Sequence, residues 1–259
     1  MILSSNNIGQ KKYGRIVSLV PSQTELLYDL GLETEVLGIT KFCIHPQKWF
    51  RQKVRIGGTK NVNFEKINAL NPDLIIANKE VNVKEQVEQL AEKYDVYISD
   101  VNNLEEAISM INDVGNLTNQ SKKASDLNVK IRSEFEKLEA ISSRKRKISA
   151  AYFSWKDPWM VAASQTFINE MMKYAGLKNV FSNLERYPII SMDGLQQQNP
   201  EMILLSTEPY PFKEKHKTEM RRLFPGKNIE IVDGEMFSWY GSRLLKSVEY
   251  FYSFLKNDK

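Results

Sequence analysis

The sequence is poor in the residues that organise metal and redox chemistry. Its 259 residues include one cysteine, Cys43, and two histidines, His45 and His216. A single thiol excludes an internal disulfide and any multi-cysteine zinc or iron–sulfur centre, and two imidazoles exclude a three-histidine cage. Long apolar runs are missing as well. Residues 73–78 and 202–207 are strand-length, far short of the ~18 uncharged residues a membrane helix needs, so no membrane span is expected. Charge of one sign is lacking too: 36 basic against 32 acidic residues leave +4, too mild for a nucleic-acid partner. The first residues, Met1 to Lys12, do not run from a basic segment into an apolar one as a secretory leader does. On that reading the chain is cytoplasmic or its leader has been removed.

What is present fits an ordinary globular chain, with 42% apolar and 26% charged residues. The length suggests about two lobes, at ~150 residues each. An internal repeat supports this. Residues 65–78 (EKINALNPDLIIAN) and 193–206 (DGLQQQNPEMILLS) both read as a short helix, then Asn-Pro-acid, then a buried strand. Glu25 to Leu32 matches Glu170 to Leu177 in the same order, each a helix ending at a glycine. Strands are expected near 15–20, 36–40, 54–56, 74–77 and 96–99, then near 148–153, 202–206 and 229–232. A helix is expected over 83–94 and a closing one near 242–255. Pro21-Ser22-Gln23-Thr24-Glu25 reads as a helix start with a Ser-x-x-Glu capping box. Short apolar strands spaced by helices imply a mainly parallel sheet flanked by helices in each lobe.

Between the halves, apolar residues keep helical spacing at Leu104, Ala107, Ile108, Ile111 and Val114, then at Ala124, Leu127, Ile131, Phe135 and Leu138. Some twenty-five helical residues would span about 37 Å. The fold expected is therefore α/β: an N-terminal lobe over 1–120, one long rigid connecting helix over 121–146, and a C-terminal lobe over 147–259. The basic run Arg144 to Lys147 reads as solvated cations at a helix C-terminus.

In parallel α/β sheets, ligands bind outside the carboxyl ends of the strands, so the loops that follow strands carry the candidates. Trp155, Trp159 and Trp239, three of the four tryptophans, fall in these loops with Tyr187, Tyr210, Phe237 and Tyr240. Aromatic rings there supply contact area for a flat ligand. Arg186, Arg243, Lys60 and Lys79 are placed to meet ligand carboxylates or phosphates, and Glu235 and Asn78 to bond amides. Cys43 and His45 could pair as thiolate and imidazole, yet no third catalytic member and no complete phosphate loop accompany them. His45 or Glu235 is the candidate single ligand to a metal already held in a cofactor, His45 first. His216, among lysines on an outer helix, is expected to face solvent.

Arg15-Ile-Val-Ser-Leu-Val-Pro-Ser-Gln-Thr-Glu25-Leu, then Leu70-Asn-Pro-Asp-Leu-Ile-Ile, then the long central helix, resemble the periplasmic binding proteins of cobalamin, ferric-siderophore and haem ABC importers. The resemblance runs from about Arg15 to Leu255 and is nearest to the cobalamin-binding branch and its signal-less relatives. It implies a non-catalytic, monomeric receptor that needs no cofactor of its own. Such a receptor holds a corrinoid or ferric chelate in an interlobe cleft and docks on an ABC permease–ATPase complex, which places it in the periplasm. By position, His45, Trp159 and Tyr187 would stand in the corrin-facing aromatic wall, Glu235 at a corrin side-chain contact, and Glu65 and Asp193 at the transporter-docking acids. The branch's first-lobe tryptophans fall near Thr59 and Asn78, which removes stacking surface from that lobe. Two alternatives to corrinoid uptake are a siderophore or haem binder on the same scaffold, and a cytoplasmic enzyme or cofactor-handling protein using Cys43 and His45.

Overall fold

The structure, a computed structural model, describes residues 1–256. It divides into two compact units. The first holds residues 1–101, 105–130 and 240–243, and the second holds 102–104, 131–239 and 244 onward.

In the first unit, β1 (Ile2–Leu3), β2 (Ile16–Ser18), β3 (Val36–Ile39), β4 (Val54–Arg55), β5 (Leu74–Asn78) and β6 (Asp95–Ser99) form one sheet in the order β1-β6-β5-β2-β3-β4. Every pairing is parallel. Helices α1 (Pro21–Asp29), α2 (Gln47–Gln52), α3 (Phe64–Leu70), α4 (Lys84–Ala91) and α5 (Leu104–Leu117) alternate with or follow the strands. Val17, Ile75, Ala77 and Val96 pack with Ile67, Val87 and Leu90 on one face. Their strand neighbours Ile16, Leu74, Ile76 and Tyr97 are equally buried, so the sheet is covered on both faces, as the apolar runs predict.

The expected capping box at the start of α1 is absent. The helix begins at Pro21, with Val20 as its N-cap and no side-chain cap. Proline suits the first helical position because its missing N–H has no partner there anyway. Ser22 is thereby drawn inside the helix, and the Glu25 carboxylate is free to meet Arg243.

The second unit contains β7 (Ile148–Trp155), β8 (Met160–Val161), β9 (Leu177–Asn179), β10 (Met202–Ser206) and β11 (Asn228–Val232), ordered β11-β10-β7-β8 with β9 also on β7. Among the strand pairings of the described residues in this unit, the short β7–β8 hairpin alone is antiparallel. Ala151, Phe153, Ile203, Leu205 and Ile229 build its core with Leu195, Phe212 and Met220. Its helices are α7 (Phe167–Tyr174), α8 (Met192–Gln198), α9 (Glu214–Leu223), α10 (Gly234–Ser238) and α11 (Leu244–Lys256). Helix α6 (Ser121–Ser142) belongs to the first unit through Lys130 and to the second from Ile131, so the division falls inside the helix. It stops short of residue 146 because the basic run is used as staples. Lys145 donates to the Leu255 carbonyl, and Arg146 pairs with Glu201 at 2.7 Å.

The repeat is physical. α3 and α8 have seven residues each, are capped by Asn63 and Ser191, and end on left-handed Asn71 (φ 43°) and Asn199 (φ 47°). Asparagine tolerates that conformation, and the following proline stops the helix. The acid then catches a neighbouring strand: Asp73 accepts the Gly14 and Arg15 N–H groups, and Glu201 accepts that of Ser149. Gly31 (φ 84°) and Gly176 (φ 79°) likewise end α1 and α7 in a conformation that costs glycine little.

Candidate functional site

Strand order locates the candidate loops in each unit. β2 lies between β3 and β5, and β7 lies between β10 and the β8/β9 side. The connection from β2 runs to β3 and that from β5 to β6 on the opposite side, and those from β7 to β8 and β10 to β11 diverge likewise, so a switch point falls at the carboxyl ends of each of these strand pairs.

In the first unit the polar groups at that end bond chiefly to the protein itself. Asn78 is 2% exposed. Its amide donates to the carbonyl of Ser99 (2.9 Å), and its Oδ1 accepts the N–H groups of Glu80 and Val81. Asn82 adds a bond to the carbonyl of Thr59 at 3.1 Å. Asn78 is thus committed to shaping its own loop. Lys79 pairs with Asp100 at 2.6 Å, and Lys60 donates to the Glu80 carbonyl at 2.8 Å. Desolvation lowers the Lys60 pKa, opposed by Glu80. Arg243 is not at the surface: it is 4% exposed and grips Glu25 through two bonds of 2.6 and 3.0 Å. Its partner is far away in the chain, so nothing local could have revealed it.

Cys43 is fully buried, with the hydroxyls of Thr24 and Thr40 each 3.1 Å from Sγ. Burial pushes its thiol pKa up, against those hydrogen bonds. A thiol held protonated and out of solvent is a poor nucleophile, which counts against the Cys43–His45 enzyme reading. His45 is half-buried on the same loop. Among the described residues, no group of three or more His, Cys, Asp or Glu could hold a metal ion.

The second unit carries the aromatic loops. Trp155, at the carboxyl end of β7, is 40% exposed and meets the Tyr210 ring edge-on at 5.6 Å. Trp159 is half-buried; it stacks on Phe212 at 6.1 Å and lies edge-on to Phe153 of the core. Lys156 covers its ring at 4.9 Å and pairs with Glu219. Tyr187 and Arg186 are half-buried on the loop after β9. Arg186 donates to Asn102 Oδ1 (3.0 Å) and to the Gln165 carbonyl (2.9 Å). Glu235 is half-buried in the first turn of α10. Trp239 is buried and donates its indole N–H to Glu208 Oε1 at 2.6 Å.

Several residues here escaped the sequence reading. Glu208 accepts from both Ser238 (2.7 Å) and Trp239. Burial raises its pKa to about 7, with Glu235 and Asp233 adding to the rise and its hydrogen bonds opposing it. Both donors come from the end of α10, some thirty residues on, so no local pattern could single Glu208 out. Phe42 (50%), Ile44 (37%) and Ile189 (66%) are exposed on carboxyl-end loops; apolar side chains on loops were the available signal. His216 corrects an expectation outright. It is 4% exposed, with Nδ1 accepting the Lys213 N–H at 2.9 Å and its ring against Tyr210 and Phe212. Lysines on both sides suggest solvent, but the third position of α9 turns the ring inward to close the helix start.

Glu65 and Asp193 occupy the first turns of α3 and α8, exposed, at the same step of the repeat. The periplasmic binding protein family matches residues 16–223. The chain belongs to that family. It is 27% identical over 252 residues to the ABC transporter substrate-binding lipoprotein YvrC of Bacillus subtilis, covering 93% of this chain and 79% of that one. It is 24% identical to the vitamin B12-binding protein of Vibrio parahaemolyticus, covering 80% and 75%. Among solved structures, the periplasmic vitamin B12-binding protein of Vibrio cholerae superimposes with a TM-score of 0.80 at 21% identity, covering 94% of this chain and 97% of that one. A periplasmic heme-binding protein from Pseudomonas aeruginosa gives 0.82 at 19% identity, covering 95% and 94%. Among the described residues, no helix is long and apolar enough to cross a membrane.

Proposed function

We propose that the chain is a non-catalytic receptor for an ABC importer and that it takes a corrinoid against the carboxyl-edge loops of its units. The observation that carries this reading is the set of apolar side chains left exposed on those loops, with Trp155 at the switch point of the second sheet. Burying large rings is costly to forgo, so a tryptophan held at 40% exposure on a packed aromatic neighbour suits a flat, largely apolar ligand face. Tyr187, Trp159 and His45 complete the ring set. Arg186, Lys60, Lys79 and Glu235 serve the polar edge of the ligand. Asn78, Trp239 and Arg243 act indirectly, by fixing the loops. Glu65 and Asp193 are the docking acids for a permease–ATPase complex, one from each unit.

Isothermal titration with cobalamin, cobinamide, haemin and a ferric hydroxamate tests the ligand class. Saturable one-to-one binding of the two corrinoids is expected. Binding of haemin or the hydroxamate alone would transfer the same loops to an iron chelate, and silence from all four would remove the receptor reading. Trp155→Ala should weaken corrinoid binding by about 1–3 kcal/mol. Trp155 is a cleaner probe than Trp159, whose ring also packs on the core.

A further inference from the structure

We propose that neutral His216 is the positioning residue for the second unit's aromatic loops, and that its protonation releases them. The inference rests on the reading that Trp155 and Trp159 meet the ligand. The chain of contacts is continuous. His216 Nδ1 accepts the Lys213 N–H at 2.9 Å, which fixes the loop leading into α9. The imidazole lies 5.5 Å from both the Tyr210 and Phe212 rings. Tyr210 supports Trp155 at 5.6 Å, and Phe212 stacks under Trp159 at 6.1 Å.

The hydrogen bond fixes the tautomer. Nδ1 must be unprotonated to accept, so neutral His216 carries its proton on Nε2, 3.4 Å from the Tyr210 hydroxyl. Adding a proton at Nδ1 would set two donors against each other in a buried position, leaving the Lys213 N–H without its acceptor. The groups facing the ring are Lys156, Lys213 and Lys215, which oppose the charge, and Glu219, which favours it. His216 lines a pocket of about 280 Å³ with Lys156, Asp157, Tyr210, Lys215 and Glu219. Burial first, and then the lysines, lower the His216 pKa, so the imidazole is neutral at pH 7 and charges only on acidification below the usual ~6.5.

The indole N–H resonances of Trp155 and Trp159, assigned with Trp155→Phe and Trp159→Phe, should be followed by NMR in the unliganded protein from pH 8 to 5. Both are expected to shift with the midpoint of the His216 ring itself. In His216→Asn, whose side-chain oxygen can take the place of Nδ1, neither should shift with that midpoint. Cobalamin affinity should fall roughly tenfold over the same range in the parent and stay level in His216→Asn. Silent indoles while His216 titrates would overturn the proposal, as would equal shifts in parent and variant. If cobalamin binds at no pH, the receptor reading fails while the indole titration still decides the role of His216. If His216→Asn does not fold, comparison of the two midpoints in the parent decides it.

Discussion

Glu25 and Arg243 lie at opposite ends of the sequence, and both are nearly inaccessible to water. Removing one partner of a buried pair strands the other charge, a far larger loss than the pair itself is worth. Arg243→Met is expected to lower the unfolding free energy by about 3–5 kcal/mol in urea titrations, and adding Glu25→Met should restore most of it. Glu208 is a half-buried acid, held by two donors but crowded by Asp233 and Glu235. Because its folded pKa of about 7 lies above the ordinary 4.5, the folded state binds its proton more tightly than the unfolded one does. The contribution of Glu208 to stability is then most favourable below pH 4.5, falls as pH rises through 4.5 to 7, and carries its full cost above that, on the order of 3 kcal/mol. Glu208→Gln keeps an acceptor for Trp239 and stays neutral. It should be more stable than the parent at pH 8 and similar near pH 5; equal pH slopes for the two proteins would refute this.

Elements repeat because their ends are written in residue types with fixed conformational roles. Asn63 and Ser191 each accept the third N–H of a seven-residue helix, and Asn71 and Asn199 close those helices in the left-handed region. Asn63→Ala and Ser191→Ala should each cost about 1 kcal/mol by thermal or urea unfolding, as loss of one N-cap does. The helix start at Pro21 obeys a different rule. There the Ser-x-x-Glu spacing matches a capping box, yet proline takes the first position, and Glu25 is spent on a residue from the other end of the chain. Local pattern and tertiary demand coincide at α3 and α8 and conflict at α1.

At the scale of the molecule, each unit presents one acid in the first turn of its repeated helix, Glu65 and Asp193, both exposed. Neither is needed to build its unit, since Asn63 and Ser191 already supply the caps. Glu65→Gln combined with Asp193→Asn should therefore leave corrinoid affinity unchanged. Ligand-dependent stimulation of the cognate permease–ATPase should fall on the order of tenfold, because rim charges chiefly govern encounter. An ATPase assay with purified components reads this directly, and undiminished stimulation would remove the docking role.

The sequence alone determined most of the parallel strands, a long helix starting at Ser121 though not its end at Ser142, and the repeated Asn-Pro-acid module, because period, proline and left-handed asparagine act within a few residues. It also placed Trp155 and Trp159 on carboxyl-end loops, since strand ends can be read from apolar runs. It misjudged His216, whose neighbours in the chain are lysines but whose neighbours in space are Tyr210 and Phe212. It could not show that Arg243 and Asn78 spend their polar atoms inside the first unit, or that Glu208 receives Trp239. Those choices belong to the tertiary structure. A buried polar group must find a partner wherever the fold brings one, and that partner's distance along the chain leaves no mark on the local pattern.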